Sequence, residues 1–148
     1  MSVCTFIASD HPLPAVRPER DYPLHINIDT GEIYDGGADD NFFLHPFAEV
    51  DAYSKKRYGV WLEWNYTSGR GERILEYIRA ALENDDTVEF WHVWLMGYYE
   101  YDERPVMREF SASIDELTPE DIHELDESEI WNNKDKNRPS FYRLVISK

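Results

Sequence analysis

Three side chains in this 148-residue chain have the chemistry of a general acid or base and lie in apolar sequence. His92 occurs in a nearly continuous apolar run, where a neutral imidazole can accept or donate a proton. Glu63 and Glu89 alternate with tryptophans, and apolar surroundings raise the pKa of a carboxyl group into a range useful for proton transfer. The same residues also suit a structural role, as a hydrogen-bonded core histidine and as carboxylates that face water or pair with Arg108 or Arg143.

Strand alternation divides these side chains between two faces. Successive residues of a strand point to opposite sides of a sheet, so Glu89 and Trp91 share one face and His92 lies on the other. A ligand pocket would therefore use either His92 or the carboxylates beside the tryptophans, and not both. The candidate pocket residues are Trp61, Glu63, Glu89, Trp91 and His92.

Two loops contain residue types that bind ions. Residues 66–72 place two glycines and Arg70 between a strand and a helix, where backbone N–H groups favour a phosphate or carboxylate. Residues 35–40 contain three aspartates, which suit a hard cation such as calcium. The first loop is neither a P-loop nor a full dinucleotide fingerprint, and the second lacks EF-hand spacing. A capped turn and a solvated loop are the preferred interpretations.

The remaining composition predicts no metal site and no cofactor. The histidines show no pair at the spacing of a helical zinc motif. They are His11, His25, His45, His92 and His123.

The single Cys4 cannot form an intrachain disulfide, and the first residues do not resemble a signal peptide. Because no apolar run is long enough to cross a membrane, we expect a cytoplasmic protein with no membrane association.

Negative charge is the dominant property of the chain. There are 30 Asp and Glu against 15 Lys and Arg, and residues 109–129 contain nine acidic and no basic residues. Such a field repels nucleic acid and attracts basic surfaces. Acidic disordered tails lack aromatic residues, whereas this chain has 5 Trp, 10 Tyr and 7 Phe. We therefore expect a folded acidic surface that binds a basic protein and does not bind nucleic acid directly.

Two groups of residues are the candidates for that surface. Four carboxylates of a predicted helix form the first group: Glu120, Asp121, Glu124 and Glu127. Three tyrosines in a turn-prone acidic segment form the second: Tyr98, Tyr99 and Tyr101. Tyrosine is a frequent interface anchor because it buries a large area and retains a hydrogen bond. Rings that cap the sheet are the alternative interpretation of the tyrosines.

The leading functional hypothesis is a non-enzymatic interaction module that binds a basic partner, as an inhibitor, immunity protein or nucleic-acid mimic does. The alternative is a small-molecule-binding protein or enzyme with the aromatic pocket described above. A structural subunit of a larger complex is a third possibility. Acidity alone does little to distinguish these three hypotheses, since many cytosolic proteins are acidic for solubility.

The pattern of apolar residues predicts one α+β domain over residues 1–148, with a mostly antiparallel sheet and two helices. From residue 58 the order is β-α-β-β-α-β, and residues 1–57 form a β-rich segment that packs on it. We expect a hairpin over residues 24–34, a helix capped by Ser68, and a second helix that begins at Thr118 and Pro119.

The apolar strand at residues 87–96 places a further constraint on the sheet. In the usual split β-α-β order it would be an edge, where an apolar strand invites aggregation. We therefore predict that residues 1–57 add strands to the sheet or cover it. Residues 106–114 are expected to return antiparallel to residues 87–96 as a hairpin with a long connection.

Overall fold

The structure, a computed structural model, describes residues 3–94, 107–127 and 141–148. The side chains of Trp94, Met107, Glu127 and Phe141 are outside this description. The described strands are β1 (Val3–Ser9), β2 (His25–Ile26), β3 (Ile33–Tyr34), β4 (Phe42–Pro46), β5 (Tyr58–Trp64), β6 (Thr87–Trp94), β7 (Met107–Ser113) and β8 (Phe141–Ser147). The helices are α1 (Ser68–Ala81) and α2 (Pro119–Glu127), with short 3₁₀ helices at Ala48–Ala52 and Ile114–Glu116.

Six strands form one sheet in the order β4-β5-β1-β6-β8-β7. β1 lies between β5 and β6 and is antiparallel to both, with Phe6 paired to Trp61 on one side and to Trp91 on the other. The prediction that residues 1–57 add strands is confirmed by β1 and β4. β6 consequently has a neighbour on each side, as its apolar sequence requires.

β7 pairs with β8 and not with the strand that the sequence predicted as its partner. β8 lies between β6 and β7, antiparallel to the first and parallel to the second. The predicted hairpin between residues 87–96 and 106–114 is therefore wrong, and so is the usual strand order. The burial of the strands explains this, since β8 buries Tyr142 and Ile146 whereas β7 exposes Arg108 and Glu109. A strand with exposed charges suits the edge of a sheet.

Both α-helices cover the same face of the sheet. In α1, Ile74, Leu75 and Ile78 follow helical spacing and are buried against strand residues such as Leu62 and Phe90. The helix is capped by Thr67, whose side chain accepts a hydrogen bond from the Arg70 N–H. The prediction of Ser68 as the cap was wrong by one residue, because Thr67 is the last residue with extended backbone angles.

α2 begins where the sequence predicted. Thr118 Oγ1 accepts a hydrogen bond from the Asp121 N–H at 3.3 Å, and Asp121 Oδ2 accepts one from the Thr118 N–H at 2.9 Å. These reciprocal bonds satisfy two N–H groups that the first turn of a helix leaves unpaired. Ile122 and Leu125 then enter the core with the residues of α1. No described helix is long and apolar enough to cross a membrane.

The opposite face of the sheet has an aromatic cluster under an irregular segment. The ring of Phe6 stacks on Phe47 at 4.6 Å and on Trp91 at 5.7 Å between centroids, and Tyr53 lies beside it. Phe47 and Tyr53 flank the 3₁₀ helix Ala48–Ala52. This segment, rather than a described α-helix, covers the middle of the second face.

β2 and β3 form a separate two-stranded sheet, which confirms the hairpin predicted for residues 24–34. His25 pairs with Tyr34, and Ile26 pairs with Ile33. All four residues are exposed.

Candidate functional site

His92 is enclosed on the helix-covered face. Its side chain is 2% exposed, and its Nδ1 lies 2.8 Å from Thr5 Oγ1 on the neighbouring strand. Burial lowers the pKa of the imidazole to about 4, so His92 is neutral at physiological pH. A ring without access to solvent cannot exchange protons with an external substrate. This geometry suits a hydrogen-bonded core histidine.

Glu89 is buried on the opposite face, where its hydrogen bonds hold two parts of the chain together. Its Oε1 accepts bonds from Ser54 Oγ at 2.5 Å and Trp91 Nε1 at 2.9 Å. Arg143 Nη1 lies 3.8 Å from Glu89 Oε2, and the same guanidinium lies over the Trp91 ring, 5.5 Å from its centroid. Arg143 also pairs with Glu109. Glu89 thereby fixes the segment that contains Ser54 onto the sheet.

Glu63 and Trp61 lie on the same face as Glu89 but not beside it. They belong to β5, which β1 separates from β6, and Glu89 lies level with Gly59, four residues along β5 from Glu63. Two strand spacings across the sheet and four residues along it place Glu63 and Glu89 roughly 16 Å apart. Glu63 is exposed and pairs with His45 Nε2 at 2.7 Å. The His45 ring in turn lies 4.4 Å from Trp61. The described structure therefore does not bring the five candidate pocket residues into one cavity.

The two loops that we considered for ion binding face each other and are paired. Arg70 is 1% exposed and donates to both carboxylate oxygens of Asp35, at 2.9 and 3.0 Å. It also donates to the carbonyl oxygens of Ala38 and Asn65. The hydrogen bonds from Arg70 hold the pKa of Asp35 below its usual value. The Asp35 carboxylate thus lies beside Arg70, where we considered an external anion. The Arg70 guanidinium likewise lies beside Asp35, where we considered a metal ion.

The rest of the aspartate loop is engaged in the same region. Asp40 accepts bonds from Tyr22 Oη at 2.5 Å and from the Glu19 N–H at 3.0 Å. A Cβ at position 69 would overlap the Asp39 carboxylate, so Gly69 lets this side chain lie close to the start of α1. Within residues 3–94, 107–127 and 141–148, no group of three or more His, Cys, Asp or Glu side chains is placed to hold a metal ion.

A groove of about 540 Å³ lies between β7 and α2. Among the described residues, its apolar lining comes from the strands, α2 and the turn before it: Phe110, Ala112, Leu117, Leu125 and Leu144. Three carboxylates of the described residues also line it: Glu116, Asp121 and Glu124. Phe110 is among the exposed large apolar side chains. We call this site the acidic groove.

The acidic groove includes some of the predicted partner-binding residues and not others. Asp121 and Glu124 line it. Glu120 lies instead near His123, with Oε1 3.8 Å from Nδ1, and His123 stacks on Tyr66 at 3.8 Å between centroids. The Glu127 side chain lies outside the described residues, as do Tyr98, Tyr99 and Tyr101.

Sequence reasoning missed the apolar lining of the groove, of which Phe110 is the most exposed part. The only available signal was the alternation of Phe110 and Ala112 next to an acidic tract. This alternation indicates an open groove only when β7 is known to lie at the edge of the described sheet. Comparison with protein-family models, with curated proteins and with solved structures found no match to this chain.

Proposed function

We propose that this protein is a non-enzymatic interaction module that binds a basic protein partner through the acidic groove. The observation that carries the proposal is the combination of an apolar lining with three carboxylates in one groove. Apolar contacts supply short-range affinity, while charges mainly accelerate encounter and select the partner. The chain's net charge of −15 adds a long-range attraction for basic proteins.

The position of β7 favours an extended segment as the occupant. β7 is at the edge of the described sheet, with β8 on its inner side, and Arg108, Glu109 and Phe110 are exposed. An edge strand can pair with a strand from another protein, whose alternate side chains then enter the adjoining groove. The partner segment should therefore alternate apolar residues with lysine or arginine. The buried and free Cys4 suits the reducing cytoplasm, where we place this interaction.

The alternative aromatic ligand pocket has less support. His92 and Glu89 are buried, and each has a hydrogen-bond partner within the domain. An enzyme that used either group would first have to break those contacts. A groove that is already open to solvent needs no such change.

A short labelled peptide of alternating lysine and valine tests the proposal by fluorescence anisotropy. We expect it to bind the wild-type protein at low salt and to weaken at about 0.5 M salt, where the Debye length is roughly 4 Å. The substitution Glu124→Lys should weaken binding by about tenfold, because it places a like charge in the groove.

Glu76→Lys is the matched control, since Glu76 is an exposed glutamate on α1 and the net charge changes equally. A glutamate–valine peptide controls for apolar attraction alone. Equal loss of affinity in Glu124→Lys and Glu76→Lys would show that the groove is not the binding site. Equal affinity for the two peptides would remove the charge argument.

A further inference from the structure

The β2–β3 hairpin exposes an unusual concentration of apolar side chains. Eight large apolar residues are exposed within the described parts of the chain, and five of them lie between residues 24 and 34. They are Leu24, Ile26, Ile28, Ile33 and Tyr34. Ile28 is 94% exposed. Clustered exposure of this kind marks interaction sites in soluble proteins, whereas scattered single residues do not.

The hairpin carries this apolar surface on a defined backbone. The Asn27 N–H donates to the Glu32 carbonyl at 2.8 Å, and the Gly31 N–H donates to the Asn27 carbonyl at 2.7 Å. The Asn27 side chain accepts the Asp29 N–H at 3.0 Å, and Gly31 has a φ of 74°, which favours glycine. Ile26 and Ile33 are cross-strand partners and therefore point to the same side.

Both ends of the hairpin are attached to the domain by the pairs already described. Tyr22 binds Asp40 before β2, and Asp35 binds the buried Arg70 after β3. The hairpin is therefore held at its base and ordered at its turn before any partner arrives. A preformed element loses less conformational entropy when it binds than a disordered segment does.

The charges around the hairpin indicate the chemistry of its partner. Residues 21–54 contain eight acidic residues and no lysine or arginine. Asp35 and Asp40 are used at the base, but Asp21, Asp29 and Glu32 are exposed beside the apolar residues. A second copy of this chain would bring like charges together. A basic surface would bring opposite charges together.

We propose that the β2–β3 hairpin is a docking arm whose aliphatic side chains enter an apolar surface flanked by lysine or arginine on a protein partner. This inference rests on the proposed function and adds a second contact region to it. The aliphatic residues supply the anchors, and the exposed carboxylates select a basic partner.

The test uses an amphipathic helical peptide of leucine and lysine as the probe, added to the full chain labelled with ¹⁵N and with ¹³C at isoleucine methyl groups. We expect the probe to perturb the signals of Ile26, Ile28 and Ile33. A leucine–glutamate peptide and a glutamine–lysine peptide should not perturb them, since each lacks one of the two required properties.

Substitution separates the arm from general apolar attraction. Ile28→Ser should weaken binding of the leucine–lysine peptide by about tenfold, as expected for an interface anchor. Tyr58→Ser is the matched control, because Tyr58 is an exposed apolar residue outside the arm and should have little effect. Ile28 is almost fully exposed, so its substitution should leave the fold intact, which the remaining amide signals check.

The outcomes distinguish this inference from the proposed function. Perturbation limited to Phe110, Ala112 and Leu125 would overturn the docking arm and leave the acidic groove standing. Perturbation limited to the arm would support this inference, and the lysine–valine peptide then tests the groove separately, because the proposed occupant of the groove is an extended segment. No perturbation at the arm would overturn the docking arm, and no binding of the lysine–valine peptide would overturn the groove. A dimer of the wild-type chain that Ile28→Ser dissociates would overturn the basic partner, since a second copy would then occupy the arm.

Discussion

The two faces of the six-stranded sheet enclose potentially reactive side chains in different ways. On the helix-covered face, His92 is 2% exposed beside Thr5, and burial keeps the imidazole neutral. On the other face, an irregular segment covers the sheet, and Glu89 keeps its position through hydrogen bonds from Ser54 and Trp91. Residue types suited to catalysis thus have structural partners on both faces. The two surfaces that we propose for a partner lie elsewhere, at the β7 edge and on the β2–β3 hairpin.

The two coverings also depend on different forces. α1 contributes a regular apolar stripe, whose stabilisation is non-directional and scales with buried area. The irregular segment depends on directional contacts, and Lys56 is a second example beside Ser54. Lys56 Nζ donates to Asp10 Oδ2 at 3.2 Å and to the Thr87 carbonyl at 3.0 Å, and it pairs with Asp85 at 3.4 Å. A cavity should therefore lower the free energy of unfolding most on the helix-covered face. The loss of a hydrogen bond should lower it most on the face that contains Glu89.

The largest effect should come from a cavity on the helix-covered face. Ile78 is fully buried, so Ile78→Ala should lower the free energy of unfolding by about 2–5 kcal/mol, measured by urea denaturation. The exposed Glu76→Ala on the same helix should change it by less than about 0.5 kcal/mol. If the two substitutions cost the same, α1 would not seal this face as described.

A pH effect of roughly 3 kcal/mol should come from His92. The folded protein holds its pKa at about 4, whereas the unfolded value is 6.5, so between these values only the unfolded chain binds the proton. The free energy of unfolding should therefore fall as the pH drops from 6.5 to about 4. Below about pH 4, His92 should cause no further loss of stability. Asp35 and Asp85 have lowered pKa values, so their contribution is lost mainly below this window.

Urea denaturation of the wild type and of His92→Gln, at neutral pH and near pH 4.5, isolates this contribution. The substitution should reduce the difference in stability between the two pH values, whatever it costs at neutral pH. His25→Gln is the control, because His25 lies on the exposed hairpin. The same pH dependence in wild type and His92→Gln would contradict the buried neutral histidine.

The smallest of these effects should appear on the face that contains Glu89. Ser54→Ala removes one of the two hydrogen bonds donated to the buried Glu89 Oε1 and should cost about 1–3 kcal/mol. Ser68→Ala provides the control, since Ser68 is exposed and is not the helix cap. Thermal or urea unfolding measures both. A negligible cost for Ser54→Ala would mean that water replaces the serine and that this face does not depend on directional contacts.

Features encoded by neighbouring residues could be read from the sequence. Thr118, Pro119 and Asp121 specify the start of α2 within four positions, and the apolar run of β6 indicates a strand buried on both sides. The placement of Asp121 and Glu124 on one surface also follows from helical spacing.

Features that depend on distant pairing could not be read. Each of the two loops considered for ion binding had a recognisable composition, yet Asp35 and Arg70 meet only because the fold brings together residues 35 positions apart. Either β7 or β8 could pair with β6, and local sequence patterns do not show which of the two pairings is more stable. Phe110 belongs to the acidic groove only as a consequence of that strand order.

The position of β8 has a consequence for how the protein is made. β8 follows β6, β7 and α2 in sequence, but it occupies the place between β6 and β7. While the chain is being synthesised, β7 has no strand to join, and one edge of the apolar β6 stays open until residues 141–147 leave the ribosome. Pairings this distant in sequence are slow to form, and open apolar edges are prone to aggregate. The native neighbours of β6 and β7 are therefore completed last, after an interval in which β6 is exposed to aggregation.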